Sequence, residues 1–151
     1  MGRFDQVWVL GTTRTDGGYE IYHWNGTRWI RVDGGAVRIA VDTNGNPWVV
    51  NDQGTIYSFW NGHWQTMPGK GTDIAIGRNG MVWLIGTDKH PGGYGIYRWT
   101  GGNWESVEGA GVRIAVDGNG LPWVVNDNGE IFKYKPDHKH LIKHTVFKIS
   151  F

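Results

Sequence analysis

No cysteine occurs among the 151 residues, which excludes disulfides, a thiolate-bound zinc and a cysteine nucleophile. An excess of charge of one sign is also lacking. The 15 Lys+Arg stand against 14 Asp+Glu, and a net +1 leaves no basic stripe to neutralise a run of phosphates, so nucleic acid is not an expected partner. The same balance disfavours polybasic docking on anionic membranes. Uninterrupted apolar runs reach four or five residues, as in MVWLI at 81–85, far below the roughly 18 needed for a membrane-spanning helix. The opening MGRFDQ lacks the apolar stretch of a signal peptide, so the expectation is a chain without membrane insertion, cytoplasmic or released without a signal peptide. Catalytic signatures are missing as well: there is no G-x-S-x-G, no P-loop, no H-E-x-x-H and no carboxylate pair placed only once. Neither an enzyme nor a cofactor is expected.

What is abundant is glycine, 25 residues, and tryptophan, 10 residues, and both recur at a fixed interval. VWVLGT at 7–12 returns as VWLIGT at 82–87, and GGYEIYHW, VRIAVD and PWVVND return at the same shift of 75. Over 7–59 against 82–134, 30 of 53 aligned positions are identical. Each 75-residue unit is itself double, because Trp8, Trp48, Trp83 and Trp123 are separated by 40, 35 and 40 residues. A repeat of 35 to 40 residues is the length of one propeller blade. Within 37–67 four strands are legible, VRIAV, PWVV, TIYSFW and HWQT, separated by the turn clusters DTNG, NDQG and NG. Val37, Ile39 and Val41 alternate with Arg38 and Ala40, the period of a pleated strand, and no long window has helical spacing.

The fold expectation is therefore all-β: a propeller of four-stranded antiparallel blades, four per chain, in one domain made of units 1–75 and 76–150. FKISF at 147–151 falls in register with the strand TDIAIG at 72–77, so the C-terminal strand is expected to join the N-terminal blade and close the ring. The fourth blade is the weak one. Counting places Lys139 in the outer-strand slot held elsewhere by Trp29, Trp64 and Trp104. Those three, with Trp24, Trp60 and Trp99 on the third strands, are expected to pack between blades. Arg38 and Arg113 are expected to pair with Asp42 and Asp117. His138, His140 and His144 form an H-x-H-x3-H run read as exposed, and no metal site is expected.

The pattern VWxxGT, GGYxIYxW, VRIAVDxxGxPWVVNDxGxI resembles the tectonin repeat of tectonin and fish-egg-lectin type propellers, over nearly the whole chain. The resemblance implies a propeller whose first strands line a central channel, and a lectin. Fungal relatives of this type are associated with O-methylated sugars, so methylated surface glycans are the implied partner. Four blades depart from the roughly six usual in such proteins. Either a small ring forms, or two chains pair as a homodimer, or the chain is a fragment or an engineered propeller without a selected ligand; a non-catalytic protein-interaction scaffold is the other reading. For a sugar site the candidates are Trp8, Trp48, Trp83 and Trp123, whose rings could stack on a pyranose, and Tyr19 and Tyr94 beside the Gly17-Gly18 and Gly92-Gly93 hairpins. The pairs Asn51-Asp52 and Asn126-Asp127 either make their turns or hydrogen-bond sugar hydroxyls. Because almost every candidate has a copy 75 positions away, several equivalent and multivalent pockets are expected.

Overall fold

A computed structural model describes residues 7–145. Fifteen strands form four antiparallel sheets, and among the described residues there is no helix. Blade one contains β1 (Trp8–Thr15), β2 (Gly18–Trp24) and β3 (Trp29–Ala36). Blade two contains β4 (Arg38–Val41), β5 (Pro47–Val50), β6 (Thr55–Trp60) and β7 (His63–Lys70). Blade three follows with β8 (Asp73–Ile76), β9 (Val82–His90), β10 (Gly93–Trp99) and β11 (Trp104–Gly111), and blade four with β12 (Arg113–Val116), β13 (Pro122–Val125), β14 (Ile131–Lys135) and β15 (His140–His144). In blades two to four the strands lie side by side in chain order, the simplest meander. Blade one has three strands among the described residues, and the strand expected at 147–151 lies outside them.

The turns close as their residues dictate. Asp42 Oδ1 accepts the N–H groups of Asn44 and Asn46, each at 2.9 Å, and Asp117 repeats this with Asn119 and Leu121. A short acceptor side chain thus replaces the missing backbone partner and Gly45 or Gly120 takes the positive φ. The inner strands β4, β8 and β12 are only four residues long, and β4 and β12 both lie against β8.

The core sits between blades rather than within them. Ile21 and Ala36 of blade one pack with Val49 of blade two; Trp48, Val50 and Ile56 pack with Ile74, Val82 and Leu84; Trp83, Ile85 and Ile96 pack with Ile114, Val124 and Tyr134. Each junction carries one more repeated device, a two-residue bulge near the end of the outer strand. At Asp33-Gly34 and Pro68-Gly69 it turns a carbonyl outward, and the next blade's tryptophan donates its indole N–H to it: Trp64 to Asp33 at 2.6 Å, Trp104 to Pro68 at 2.8 Å. Gly34 and Gly69 are at φ 115° and 84°, and a Cβ on either would come within 3.3 Å of that tryptophan ring. Glycine is required there both for the conformation and for the close approach.

Three expectations need correction. The outer-strand slot of blade four is filled by Leu141, not Lys139: Tyr134 pairs with Leu141 as Phe59 pairs with Trp64. The longer turn at 136–139, with Lys139 at φ 55°, inserts two residues between the third and fourth strands and so moves the slot from 139 to 141. Trp60 and Trp29 are not packed between blades among the described residues; they are 57% and 45% exposed. Phe59, facing Trp64, occupies the position that Trp24 and Trp99 hold opposite Trp29 and Trp104, and a shift of one residue in a strand reverses the face. Finally, Arg38 and Arg113 do not pair with Asp42 and Asp117. Both reach buried Asp73, at 3.4 and 3.1 Å, and Asp73 also accepts the Ile114 N–H at 2.9 Å. The inner strands of blades two, three and four are thereby tied to one carboxylate, which a buried charge needs in order to be tolerated.

Candidate functional site

β1 and β9 are eight and nine residues long where β5 and β13 have four, so the Gly17-Gly18 and Gly92-Gly93 hairpins are the tips of extended arms. Their tips reach the neighbouring blade. The Asp52 N–H donates to the Gly17 carbonyl at 2.8 Å, and the Asp127 N–H donates to the Gly92 carbonyl at 2.9 Å. Beneath the first of these bridges, between blades one and two, lies a cleft of about 640 Å3. Its floor is apolar, made by Ile21 and Val49. Its wall is aromatic: Tyr57 and the half-buried Trp64, whose ring is held edge-on to Phe59 at 4.8 Å. Its rim is polar, with Arg14 paired to Asp52 at 3.1 Å and with Asp16 and Gln53 alongside. Arg14 also lies over the Tyr19 ring at 5.1 Å.

The corresponding cleft between blades three and four is about 280 Å3 and is lined by Pro91, Glu108, Phe132, His140 and Leu141. Phe132 stands for Tyr57 and Leu141 for Trp64, so both a phenol and an indole are gone. The two clefts are not equivalent, contrary to expectation.

The expected site residues divide accordingly. Asp52 and Asn51 line the larger cleft, and Asn126 lines the smaller. Tyr19 and Tyr94 stand at the arms, Tyr94 under Lys89 at 5.3 Å. Asp127 is exposed at the tip of its turn. The side-chain oxygen of Asn51 is used by its own turn, accepting from Gln53 and Thr55 at 3.0 and 2.9 Å. Asn126 does the same with Asn128 and Glu130, and its amide donates to the Glu130 carboxylate at 3.0 Å. These two asparagines are turn formers first. Lys143, whose ammonium bonds Glu130, and then Asn126 hold the Glu130 carboxyl below the ordinary carboxylate range.

The four second-strand tryptophans are not gathered at a site. Trp48 and Trp83 are 8% and 3% exposed and belong to the core, so neither has a ring face free for a sugar, which corrects that expectation. Trp8 stacks on His23 at 4.4 Å and donates to the Gly45 carbonyl, and Trp123 donates to Asp117 at 2.9 Å, which holds that carboxyl low. The second glycine of each hairpin serves the sheet, since a Cβ on Gly18 would come within 2.5 Å of the Ala36 carbonyl and one on Gly93 within 2.5 Å of the Gly111 carbonyl, while Gly17 and Gly92 line the two clefts. Trp64, Tyr57 and Arg14 are the residues that sequence reasoning passed over. The available signal was the loss of the Trp64 aromatic in the second unit, where a purely structural position would have kept it.

Residues 2–91 match the family model for the Tectonin domain. Over 37 residues the chain is 43% identical to Tectonin-2 of Physarum polycephalum, a stretch covering 24% of this chain and 10% of that protein. Among solved structures, TolB from Acinetobacter baumannii superposes with a TM-score of 0.67 at 16% identity, over 95% of this chain and 42% of that one. YCF48 from Cyanidioschyzon merolae superposes at 0.62 with 15% identity, over 93% and 52%. Both are β-propellers. The chain thus spans about half or less of each of these proteins.

Proposed function

The chain belongs to the tectonin domain family, and from that premise we propose that it is a non-catalytic glycan-binding protein whose principal site is the cleft between blades one and two. The observation that carries this reading is the pairing of an aromatic wall, Tyr57 and Trp64, with a polar rim, Arg14 and Asp52, across one cleft. A pyranose has the complementary surface. Its axial C–H groups make one face apolar and suited to an indole, while its equatorial hydroxyls need planar donors and acceptors in fixed positions. Arg14 donates and Asp52 accepts; each already satisfies the other, so a sugar can enter by exchanging one charged hydrogen bond for two without leaving a charge unpaired.

The apolar floor of Ile21 and Val49 supports the methylated version of the ligand. An O-methyl group placed there loses water without losing a donor that the cleft needs. The smaller cleft lacks the indole and the phenol, so it is a weaker second site and multivalent gain depends on the first. In the same reading residues 147–151 supply the inner strand that a first sheet lacks, from the neighbouring chain where two chains close one ring.

The test is tryptophan fluorescence during titration with methylated and unmethylated monosaccharides. Trp64 stands in the wall, so a saturable change that favours the methylated sugar and disappears in Trp64→Leu supports the site. A flat response up to tens of millimolar from folded protein overturns the lectin reading in favour of a protein-interaction scaffold.

A further inference from the structure

The junction between blades two and three is written twice in the sequence but formed once in the described chain. On its blade-two side stand Trp48, Val50 and Ile56; on its blade-three side stand Val82, Leu84, Tyr97, Trp99 and Trp104. Trp48 meets the edges of Trp99 and Trp104 at 5.6 and 6.2 Å, and Val82 and Leu84 are 4% and 1% exposed. Moving the first group forward by 75 gives Trp123, Val125 and Ile131, on blade four. Moving the second group back by 75 gives Val7, Val9, Tyr22, Trp24 and Trp29, on blade one and its approach. Seven of these eight residues are of the same type as their counterparts; only Leu84 differs, becoming Val9.

The two half-junctions stand apart. Val7 and Val9 are 46% and 37% exposed, against 4% and 1% for their images, and Trp29 is exposed too. Trp123, Val125 and Ile131 are half-buried where Trp48, Val50 and Ile56 are buried. Trp24 and Trp29 nonetheless hold the edge-to-face arrangement of Trp99 and Trp104, with centroids 5.2 Å apart against 4.9 Å. The blade-one face is therefore preformed for a blade-two-like surface. An arc that curled far enough to meet its own end would bury Val7, Val9 and Trp29, and this one does not. The chain superposes over 95% and 93% of its length on parts of two longer propeller chains, and its own blade-one face is left uncovered.

We propose that blade four of a second copy of this chain docks on blade one, and that the reverse contact forms at the other end, so that two chains close one ring. A head-to-tail contact made twice about a two-fold axis is closed and leaves no free end for fibre growth. The copied junction is not perfect. Lys133 and His144 flank Trp123, at 5.2 and 4.6 Å, where Ser58 and Met67 stand beside Trp48. The ring should accordingly dissociate on dilution more readily than a blade pair separates within the chain.

The experiment is the solution mass by light scattering of the intact chain from about 1 to 100 µM. The expected result is about 34 kDa at the upper end, twice the 17.0 kDa of one chain. A mass of one chain throughout, or a mass of three or more chains, overturns the proposal. Val9→Asp, with Trp29→Glu as a second variant should the first not fold, is expected to hold the mass at one chain while the β-sheet circular dichroism is kept. Val125→Asp should do the same from the opposite face. Mixing the Val9→Asp and Val125→Asp chains leaves one intact junction per pair and is expected to restore part of the two-chain species. A Val9→Asp chain that stays at about 34 kDa overturns the assigned surface, as does a mixture with no recovery. None of these readouts depends on a sugar, so they stand or fall separately from the lectin reading.

Discussion

The cleft between blades one and two and its image between blades three and four are built from nearly the same inner and middle strands, yet one is open and walled by a phenol and an indole and the other is small and has neither. Part of the difference lies at the rim, where Arg14 and Asp16 become Lys89 and Pro91, and the rest on the third and fourth strands. Tyr57 and Trp64 give way to Phe132 and Leu141, and the turn after the third strand lengthens from Asn61-Gly62 to 136–139. The strands that pack between blades, PWVVN and VRIAV, are identical in the two units because a volume change there would open a cavity or force an overlap at a junction. The outer strand has one face to the next blade and one to solvent. Side chains there can change the cleft without dismantling the packing between blades, so ligand selectivity is free to diverge on the strands that carry the least core.

Removing the indole that distinguishes the larger cleft should have the largest effect. Trp64→Ala deletes the wall, the edge contact with Phe59 and the hydrogen bond to Asp33, and is expected to cost about 3 kcal/mol, the low end for a tryptophan truncation because the ring is only half-buried. Chemical denaturation measures this, and a change under about 1 kcal/mol would show that the ring is not holding the two blades together. Trp64→Leu copies the smaller cleft and separates packing from recognition. It should retain most of the stability and still lose about tenfold in sugar affinity, roughly 1.4 kcal/mol of stacking. Equal affinities for Trp64→Leu and the parent would remove the indole from the site.

A smaller effect is expected at the rim. Asp52→Ala breaks an exposed ion pair, so stability should move by less than about 0.5 kcal/mol while sugar affinity drops about fivefold, the loss of one charge-assisted acceptor. The reverse exchange, Leu141→Trp, is expected to raise the number of sugars bound per chain in calorimetric titration. No change in stoichiometry would mean that the longer turn, rather than the missing indole, closes the smaller cleft.

The sequence alone carried the architecture because its information was redundant. Strand positions were marked by alternation, turns by Asp-x-x-Gly and Asn-Asp-x-Gly, and the repeat confirmed each mark at a second place. The site was legible at its turn residues, Asn51 and Asp52, and at the Gly17-Gly18 hairpin, whose Gly17 lines the cleft. Trp64 was hidden because a residue present in three of four blades looks like packing, and it does pack; that it also walls a cleft follows from how far the β1 arm rises, a property of the bulge between Leu10 and Arg14. Trp48 and Trp83 misled for the opposite reason. They begin a strand beside a turn, which suggests exposure, but the neighbouring blade covers them. Asp73 was missed because the counterpart of Arg38 one blade on has the opposite charge, a relation that appears only when blades are set side by side rather than read along the chain.

The smallest expected difference between the two clefts is in their response to acid. The turn of the smaller cleft is braced by a carboxylate: Glu130 takes the Asn126 amide and the Lys143 ammonium, and these bonds hold its carboxyl low. At the same place in the larger cleft stands Thr55, whose hydroxyl accepts from Lys70 at 3.0 Å and does not titrate. A carboxyl depressed in the folded state stabilises above its ordinary range, and that contribution is lost as pH falls through the depressed value. Acidification from neutral pH to about pH 3 should therefore loosen 126–130 before 51–55. The carboxylate is half-exposed at the edge of its turn, so the effect is local fraying rather than unfolding. Backbone amide exchange at the two turns, compared at the two pH values after correction for intrinsic rates, measures it directly. Selective loss of protection at Asn128 and Glu130, whose N–H groups bond to Asn126, is the expected outcome, and equal loss at Gln53 and Thr55 would show that the two turns are held by their asparagines alone.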